Sequence, residues 1–356
     1  MNRFDYVRAG SVAEAVAAAA EPGAAYLAAG TNLLDLMKGG LTRPGRLVDV
    51  THLPGLDRIE HLPDGGVRIG ALVRNSDLAY DAGFAKAHAG FAKAHPAVAE
   101  ALLSGASAQL RNAATVAGNL LQRTRCPYFY DPASACNKRD PGAGCDARGG
   151  ETRLHAVLGW SEHCIATHPS DFGVPLVSLD AVVEIEGRAG AREVPLEALY
   201  RLPDDRPDRE TVLEPGDLIV ALRLPPEAAG FARHSRYLKV RDRTSYAFAV
   251  VSVAASLRLD GGGIGEARIA LGGVALKPWR ARAAEAVLAG AEPSEANFRA
   301  AADAALTDAR PSGDNAFKIE LARRLIVRTL IRAAAGTPDR MPALPASAFS
   351  GDALHA

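Results

Sequence analysis

The four cysteines of this 356-residue sequence, Cys126, Cys136, Cys145 and Cys164, fall in one segment, with nine, eight and eighteen residues between neighbours. Scattering at random would rarely confine them so. From Cys126 to Gly150 the segment holds Pro127, Pro132, Pro141, Gly142, Gly144, Gly149 and Gly150, and its apolar residues follow neither a helical nor a strand period. An irregular connection of more than about 15 residues is uncommon in a compact domain unless it is functional or disordered. Something must therefore order it. Disulfides are disfavoured in a chain without a secretory signal. Zinc usually takes cysteines in close pairs, absent here, whereas wide spacing suits a [4Fe-4S] cube approached from several directions. Zinc and free structural thiols stay open as alternatives. Arg123, Arg125, Lys138 and Arg139 lie among these cysteines, either offsetting the negative charge of thiolates or forming a solvated loop face. His155, His163 and His168 are lesser candidate ligands.

A chain of 356 residues is expected to form two or three domains. Hydrophobic residues make up 48% and charged residues 23%, enough for a sizeable buried core. Lys plus Arg and Asp plus Glu number 41 each, so no long-range field draws the chain to nucleic acid or an anionic membrane. Met1 to Gly10 has no apolar signal-peptide core, and the Ala-rich stretch after it is broken by Glu14, Glu21 and Pro22. Membrane insertion is not expected, because no long uncharged apolar window exists. The expected compartment is the cytoplasm, or the periplasm by co-export with a signal-bearing partner.

Ser11 and Glu14 predict a capping box for a helix over residues 11–20. Ala25 to Ala29, Gly30-Thr31-Asn32 and Leu33 to Lys38 predict strand, tight turn and helix. Further strands are predicted at residues 47–50, 67–70, 181–185, 218–222, 248–257 and 267–271, and an amphipathic helix at 315–335. The polar, Pro-rich stretch 201–216, then Pro225-Pro226 and Gly230, predicts the border of a C-terminal domain. Residues 82–95 repeat Ala-Gly-Phe-Ala-Lys-Ala-His in tandem. Seven residues are nearly two helical turns, so the duplication keeps the same face buried, and a metal pair of His88 and His95 is the lesser reading.

Two segments are suited to close approach by a phosphate. They are Tyr26-Leu27-Ala28-Ala29-Gly30-Thr31-Asn32-Leu33-Leu34 and Thr115-Val116-Ala117-Gly118-Asn119-Leu120, where small residues expose backbone N–H groups at a turn entering a helix. Neither is a dinucleotide fingerprint or a P-loop, and singly each also reads as an ordinary turn and helix start. Together and in this order they resemble the flavoprotein family of xanthine dehydrogenases, carbon monoxide dehydrogenase and aldehyde oxidoreductases, in which an Ala-Gly-Gly-Thr-type and a Thr-x-Gly-Gly-Asn-type loop hold the FAD pyrophosphate. Ala29 and Ala117 stand where the family often has Gly, a difference of one methyl group that is expected to be tolerated. The resemblance continues through Ala166-Thr167-His168-Pro169-Ser170-Asp171, Asp217-Leu218-Ile219 and Tyr237-Leu238-Lys239. It implies that residues 26–34, Thr115, Gly118 and Asn119 bind FAD, with Asp171 and Lys239 on its polar parts and Ile219 beside the isoalloxazine ring.

The fold so implied is α+β. A two-lobed FAD-binding domain of the PCMH (vanillyl-alcohol-oxidase-like) type has lobes at 1–55 and 56–226, the second carrying an insertion at about 122–165. A C-terminal α/β domain of the CO dehydrogenase flavoprotein type at 227–335 and a tail at 336–356 follow. The insertion, with Gln122-Arg123-Thr124-Arg125-Cys126 and Cys136-Asn137-Lys138-Arg139, looks like the iron-sulfur flavoprotein subunit of periplasmic aldehyde oxidoreductases. That likeness implies one [4Fe-4S] cluster on Cys126, Cys136, Cys145 and Cys164. It also implies a heterotrimer: a large subunit with the molybdenum cofactor oxidises an aldehyde, a small subunit with [2Fe-2S] clusters relays electrons, and this subunit passes them through FAD to an external acceptor. No catalytic residue is assigned, since the cofactors carry the chemistry. Alternatives are the beta subunit of 4-hydroxybenzoyl-CoA reductase, a self-sufficient flavin reductase similar to the UDP-N-acetylmuramate reductases, and a zinc-stabilised scaffold without FAD.

Overall fold

The structure is a computed structural model that describes residues 1–81 and 90–338. The first copy of the heptad, with His88, and the tail from residue 339 lie outside the described residues.

Strands β1 (Asp5–Arg8), β2 (Ala24–Leu27) and β3 (Arg46–Asp49) form a parallel sheet in the order β1-β3-β2. Parallel neighbours need crossovers, and the helices Val12–Ala19 and Leu33–Lys38 lie in them. The first helix starts as its sequence predicts. Ser11 Oγ accepts from Glu14 N at 3.2 Å, and the Glu14 carboxylate returns to Gly10 N at 2.8 Å, one residue earlier than a standard capping box.

A second, antiparallel sheet comprises β4 (Ile59–His61), β5 (Val67–Gly70), β6 (Val182–Gly187), β7 (Gly190–Pro195) and β8 (Leu218–Leu224), in the order β4-β5-β8-β6-β7. Between β5 and β6 the chain makes short helices and the cysteine segment. Ile69, Leu78, Phe91, Leu102, Leu120, Phe172 and Leu222 fuse sheet and helices into one core. The cysteine segment is not wholly irregular: Pro127 opens a single turn at Pro127–Tyr130, and a 3-10 turn covers Asp146–Gly149.

The third sheet has β9 (Ser235–Val240), β10 (Val251–Asp260), β11 (Gly263–Gly272) and β12 (Trp279–Arg280), antiparallel in the order β12-β11-β10-β9. Residues 251–257 are all buried because both faces of β10 are covered. Val251, Val253, Ala255 and Leu257 pack with Ala322 and Ile326 of the helix Phe317–Ala334. Ala254, on the opposite face, packs with Ala97 and Ala101 of the helix Pro96–Ser104 and with Val174. Small side chains on that face let the helix come close, and they explain why apolar content was legible here but alternation was not.

Two buried groups set how these layers respond to change. Arg236 Nε lies 3.0 Å from Glu100 Oε1, both side chains being 10% exposed or less, and Tyr237 N donates to Glu100 Oε2 at 2.6 Å. His95, 2% exposed, rests on the Phe91 ring, and neither of its ring nitrogens has a partner among the described residues. Arg236→Met should leave the Glu100 carboxylate buried without its cation and cost about 3–5 kcal/mol in chemical denaturation, with much of the loss recovered in the double variant with Glu100→Gln. Burial, helped by His61, lowers the pKa of His95 from 6.5 to about 4. The unfolded chain therefore binds this proton first: stability is intact above 6.5 and falls, by on the order of 3 kcal/mol, as the pH drops toward 4. Denaturation midpoints for wild type and His95→Leu on either side of pH 6.5 should show a smaller acid loss in the variant.

Candidate functional site

The turn after β2 and the start of the helix Val116–Leu120 face each other across an open cleft of about 1020 Å³, closed at one end by Asp217, Leu218 and Ile219. Gly30 turns the chain with φ +74°, where a Cβ would be strained and would meet the Leu34 side chain at 2.7 Å. Thr115 is extended and its Oγ1 accepts from Gly118 N at 3.3 Å, which starts the second helix. Tyr26 donates from its hydroxyl to Gly216 O at 2.8 Å and ties the first sheet to the chain entering β8, the middle strand of the second. Asn32 Oδ1 accepts from Arg123 N at 3.2 Å, which fixes the amide, and leaves Asn32 Nδ2 buried without a partner. An unpaired buried donor costs about 1–3 kcal/mol, and an anionic oxygen placed in the cleft would relieve it. The cradle therefore fits a phosphate-bearing cofactor.

Ten of the predicted flavin residues line this cleft: Tyr26, Ala28, Ala29, Gly30, Thr31, Asn32, Leu33, Thr115, Gly118 and Ile219. Leu27 lies in β2 and Leu34 in the following helix, and neither lines the cleft. Asn119 faces away, accepting from Ser170 Oγ at 2.8 Å and Gln122 Nε2 at 2.7 Å. Asp171 and Lys239 lie 2.7 Å apart as a buried ion pair, and Asp171 also accepts from the Tyr237 hydroxyl at 2.6 Å. Burial and the neighbouring carboxylate hold that phenol well above its ordinary range. Asp171 borders a separate cleft of about 690 Å³ with His155, His168, Phe248, Arg125 and Cys126. A third cleft shares Arg123 with the first and His168 with the second.

All four cysteines are free thiols and line one small cavity, with Phe129, Ala147 and Ala166 in its wall. Cys136 and Cys145 sit opposite each other in an antiparallel bridge, and Cys164 follows the tight turn that it makes with Ser161. Asn137 locks the hairpin, its Oδ1 accepting from Gly144 N at 2.8 Å and its Nδ2 donating to His163 O at 3.0 Å. Arg139 donates to the carbonyls of Tyr128 and Phe129 at 3.0 and 2.8 Å, so its role is to order the loop. Burial pushes the Cys126 thiol up to about 12 and Cys164 to about 11, and raises Cys145, although backbone N–H groups of Phe129, Tyr128, Ala147, Arg148 and Ala166 point at these sulfurs and oppose the rise. Metal binding would deprotonate such thiols, and the waiting N–H donors would then serve thiolates. Cys126 Sγ also lies 3.2 Å from His155 Nε2. Among the described residues no three His, Cys, Asp or Glu side chains are placed to hold a single metal ion. Four thiols on one cavity are a donor set of the kind that iron-sulfur clusters take.

One group was not visible in the sequence. Glu210 accepts from Arg123 Nε at 2.6 Å and from Lys138 Nζ at 2.8 Å, so its carboxylate joins a cation lining the first cleft to one lining the cysteine cavity. Burial acts to raise the Glu210 pKa, but Lys138 and Arg123 outweigh it and the net shift is downward. Lys138 and Arg123 stood out beside the cysteines, but Glu210 belongs to the unpatterned stretch 201–216 and carries no motif. Lys318 is a second such group. Fully buried, its ammonium donates to the carbonyls of Leu154, His155 and Gly273 at 3.1, 2.8 and 2.6 Å and clasps the end of the cysteine segment.

Comparison with known proteins agrees with this layout. Residues 2–227 match the FAD binding domain in molybdopterin dehydrogenase, and residues 236–333 the CO dehydrogenase flavoprotein C-terminal domain. The chain is 52% identical to the aldehyde oxidoreductase FAD-binding subunit PaoB of Escherichia coli, over 94% of this chain and 99% of that one. It is 25% identical to the putative xanthine dehydrogenase FAD-binding subunit XdhB of the same organism, over 94% and 98%. Among solved structures, carbon monoxide dehydrogenase from Hydrogenophaga pseudoflava superposes with a TM-score of 0.71 at 28% identity, covering 94% of this chain and 98% of that one. The chain belongs to the FAD-binding medium subunits of the xanthine dehydrogenase and carbon monoxide dehydrogenase family, and so is a subunit of an oxidoreductase complex.

Proposed function

We propose that this chain is the FAD and [4Fe-4S] electron-transfer subunit of a heterotrimeric molybdenum-containing aldehyde oxidoreductase. In this reading the aldehyde is oxidised on a large subunit that carries the molybdenum cofactor, and a small subunit with [2Fe-2S] clusters delivers the electrons to this one. The observation that carries it is the four-thiol cavity beside the two-loop cleft, with Lys138, Glu210 and Arg123 between them. The aldehyde substrate rests on the 52% identity to a subunit of that name. Bound FAD supplies a centre that takes electrons singly and releases them in pairs, and a cluster supplies a one-electron centre.

The chain's own residues bind, orient and insulate. The turn Ala28 to Leu33 and the Thr115-Gly118 helix start would hold the pyrophosphate, with Asn32 Nδ2 as a ready donor. Ile219 would pack beside the flavin ring, and the Asp171–Lys239 pair, fixed by Tyr237, would support polar contacts from the second cleft. Cys126, Cys136, Cys145 and Cys164 would ligate the cluster in a pocket walled by Phe129 and Ala166. The boundaries that go with this reading are lobes at 1–55 and 56–226, a C-terminal domain at 227–335 and a tail at 336–356.

The purified protein should show flavin absorption on a broad iron-sulfur shoulder; a colourless, zinc-containing protein would sink the proposal. Single substitutions should separate the two cofactors. Gly118→Leu places a large side chain at the cleft wall and should abolish FAD retention while iron and sulfide stay, whereas Cys136→Ser should remove iron and sulfide and leave flavin bound. Iron content unchanged in Ser variants of each of the four cysteines would refute the ligand assignment.

A further inference from the structure

The cysteine cavity carries more than a set of ligands, because two of its four thiols are held in a geometry of their own. Cys136 and Cys145 face each other across the antiparallel bridge. The bonds that frame them are Asn137 N to Gly144 O at 2.7 Å and Asp146 N to Ala135 O at 3.1 Å, one residue to either side. They are therefore a non-hydrogen-bonded cross-strand pair, the kind whose side chains lie closest, with Cα atoms about 4.5 Å apart in general. A disulfide spans Cα separations of about 4.4–6.8 Å. Both side chains line the same cavity, so they project to the same side. The hairpin has bonds of its own: the Asn137 amide bonds within it, and the Asp146 carboxylate accepts from Ala135 N at 2.7 Å. The other two cysteines lack this arrangement. Cys126 opens a helical turn against His155, and the bridge partner of Cys164 is Ser161.

We propose that Cys136 and Cys145 form a thiol–disulfide pair: in the metal-free chain they close by exchange with a small-molecule disulfide, and the closed pair blocks cluster insertion until it is reduced. Cys145, only half-buried, meets the oxidant first. Its thiolate attacks one sulfur of the small disulfide, gives a mixed disulfide and releases one small thiol. The Cys136 thiolate then attacks the Cys145 sulfur and releases the second. In sum, two protein thiols lose two electrons and two protons, and one small disulfide becomes two thiols. The pairing rests on the hairpin alone; its effect on cluster insertion rests on the cluster reading above.

The test uses the full chain, stripped of metal by a chelator under reductant, freed of reductant without air and exposed to oxidised glutathione. Non-reducing peptide mapping should give a Cys136–Cys145 cross-link as the main product, and the free thiol count should fall from four to two. Dithiothreitol should restore all four thiols, and Cys136→Ser should abolish the cross-link. Iron and sulfide supplied to the cross-linked chain should be taken up only after reduction. A predominant Cys126–Cys164 bond, a scrambled mixture, or glutathione adducts alone would overturn the proposal, as would cluster uptake with the cross-link intact. Absence of iron from the protein as purified would instead count against the cluster reading and leave the cross-link result standing.

Discussion

One buried ammonium group holds together what the chain otherwise leaves loose. The end of the cysteine segment and the turn after β11 run side by side through the interior, and their carbonyls need donors that neither helix nor sheet supplies. Lys318 Nζ satisfies three of them from the first turn of the helix Phe317–Ala334. Burial lowers its pKa to about 7, so the position is costly for a cation, and the three carbonyl oxygens offset that cost. Asn315 Nδ2 adds bonds to His155 O and Ala156 O at 3.0 and 3.1 Å, and Ser312 Oγ another to Ala156 O at 2.8 Å. A helix far along the chain thus fixes the segment carrying His155, whose ring touches Cys126. The cavity depends on the C-terminal domain although it supplies none of the cysteines.

The same logic governs the interface between the third sheet and the short helices. Glu100 pairs with Arg236, and Asp171 with Lys239, each pair almost wholly enclosed. A buried pair seldom stabilises more than a well-packed apolar pair would, because desolvation consumes most of the attraction. What such pairs do supply is register. Each carboxylate also takes a bond from Tyr237, through its backbone N–H at Glu100 and its hydroxyl at Asp171, so one residue of β9 aligns the helix Pro96–Ser104 with the wall of the second cleft.

The sequence made the regular parts legible for physical reasons that can be named. Ser11 and Glu14 announced a cap, Gly30 a tight turn, which the structure makes left-handed, and the apolar run ending at Leu257 a strand, which the structure covers on both sides. The two loops could be paired because their small residues recur in a family pattern, and the structure brings them to one cleft. Less legible were the bonds that Asn119 makes to Ser170 and that Asp171 and Lys239 make to each other, since a position in a motif does not reveal which neighbours a side chain takes. Glu210 and Lys318 were illegible altogether. Their partners lie 72 or more positions away or are backbone carbonyls, and neither relation leaves a local pattern.

Those two residues also explain why the cations around the cysteines are not interchangeable. Arg139 is committed to loop carbonyls and Arg125 to the Tyr130 hydroxyl, so both act as struts. Lys138 differs. Its side chain is 2% exposed, it lines the cysteine cavity, and it acts on the Cys164 thiol to favour the thiolate. Left alone, such an ammonium would lose its hydration with nothing in return, but Glu210 and the Pro207 carbonyl hold it in place. The carboxylate that secures Lys138 is held in turn by Arg123, which lines the first cleft. One shared anion thus holds a cation at each cavity. The arrangement follows from where the segment between Asn119 and Asp171 lands against Glu210.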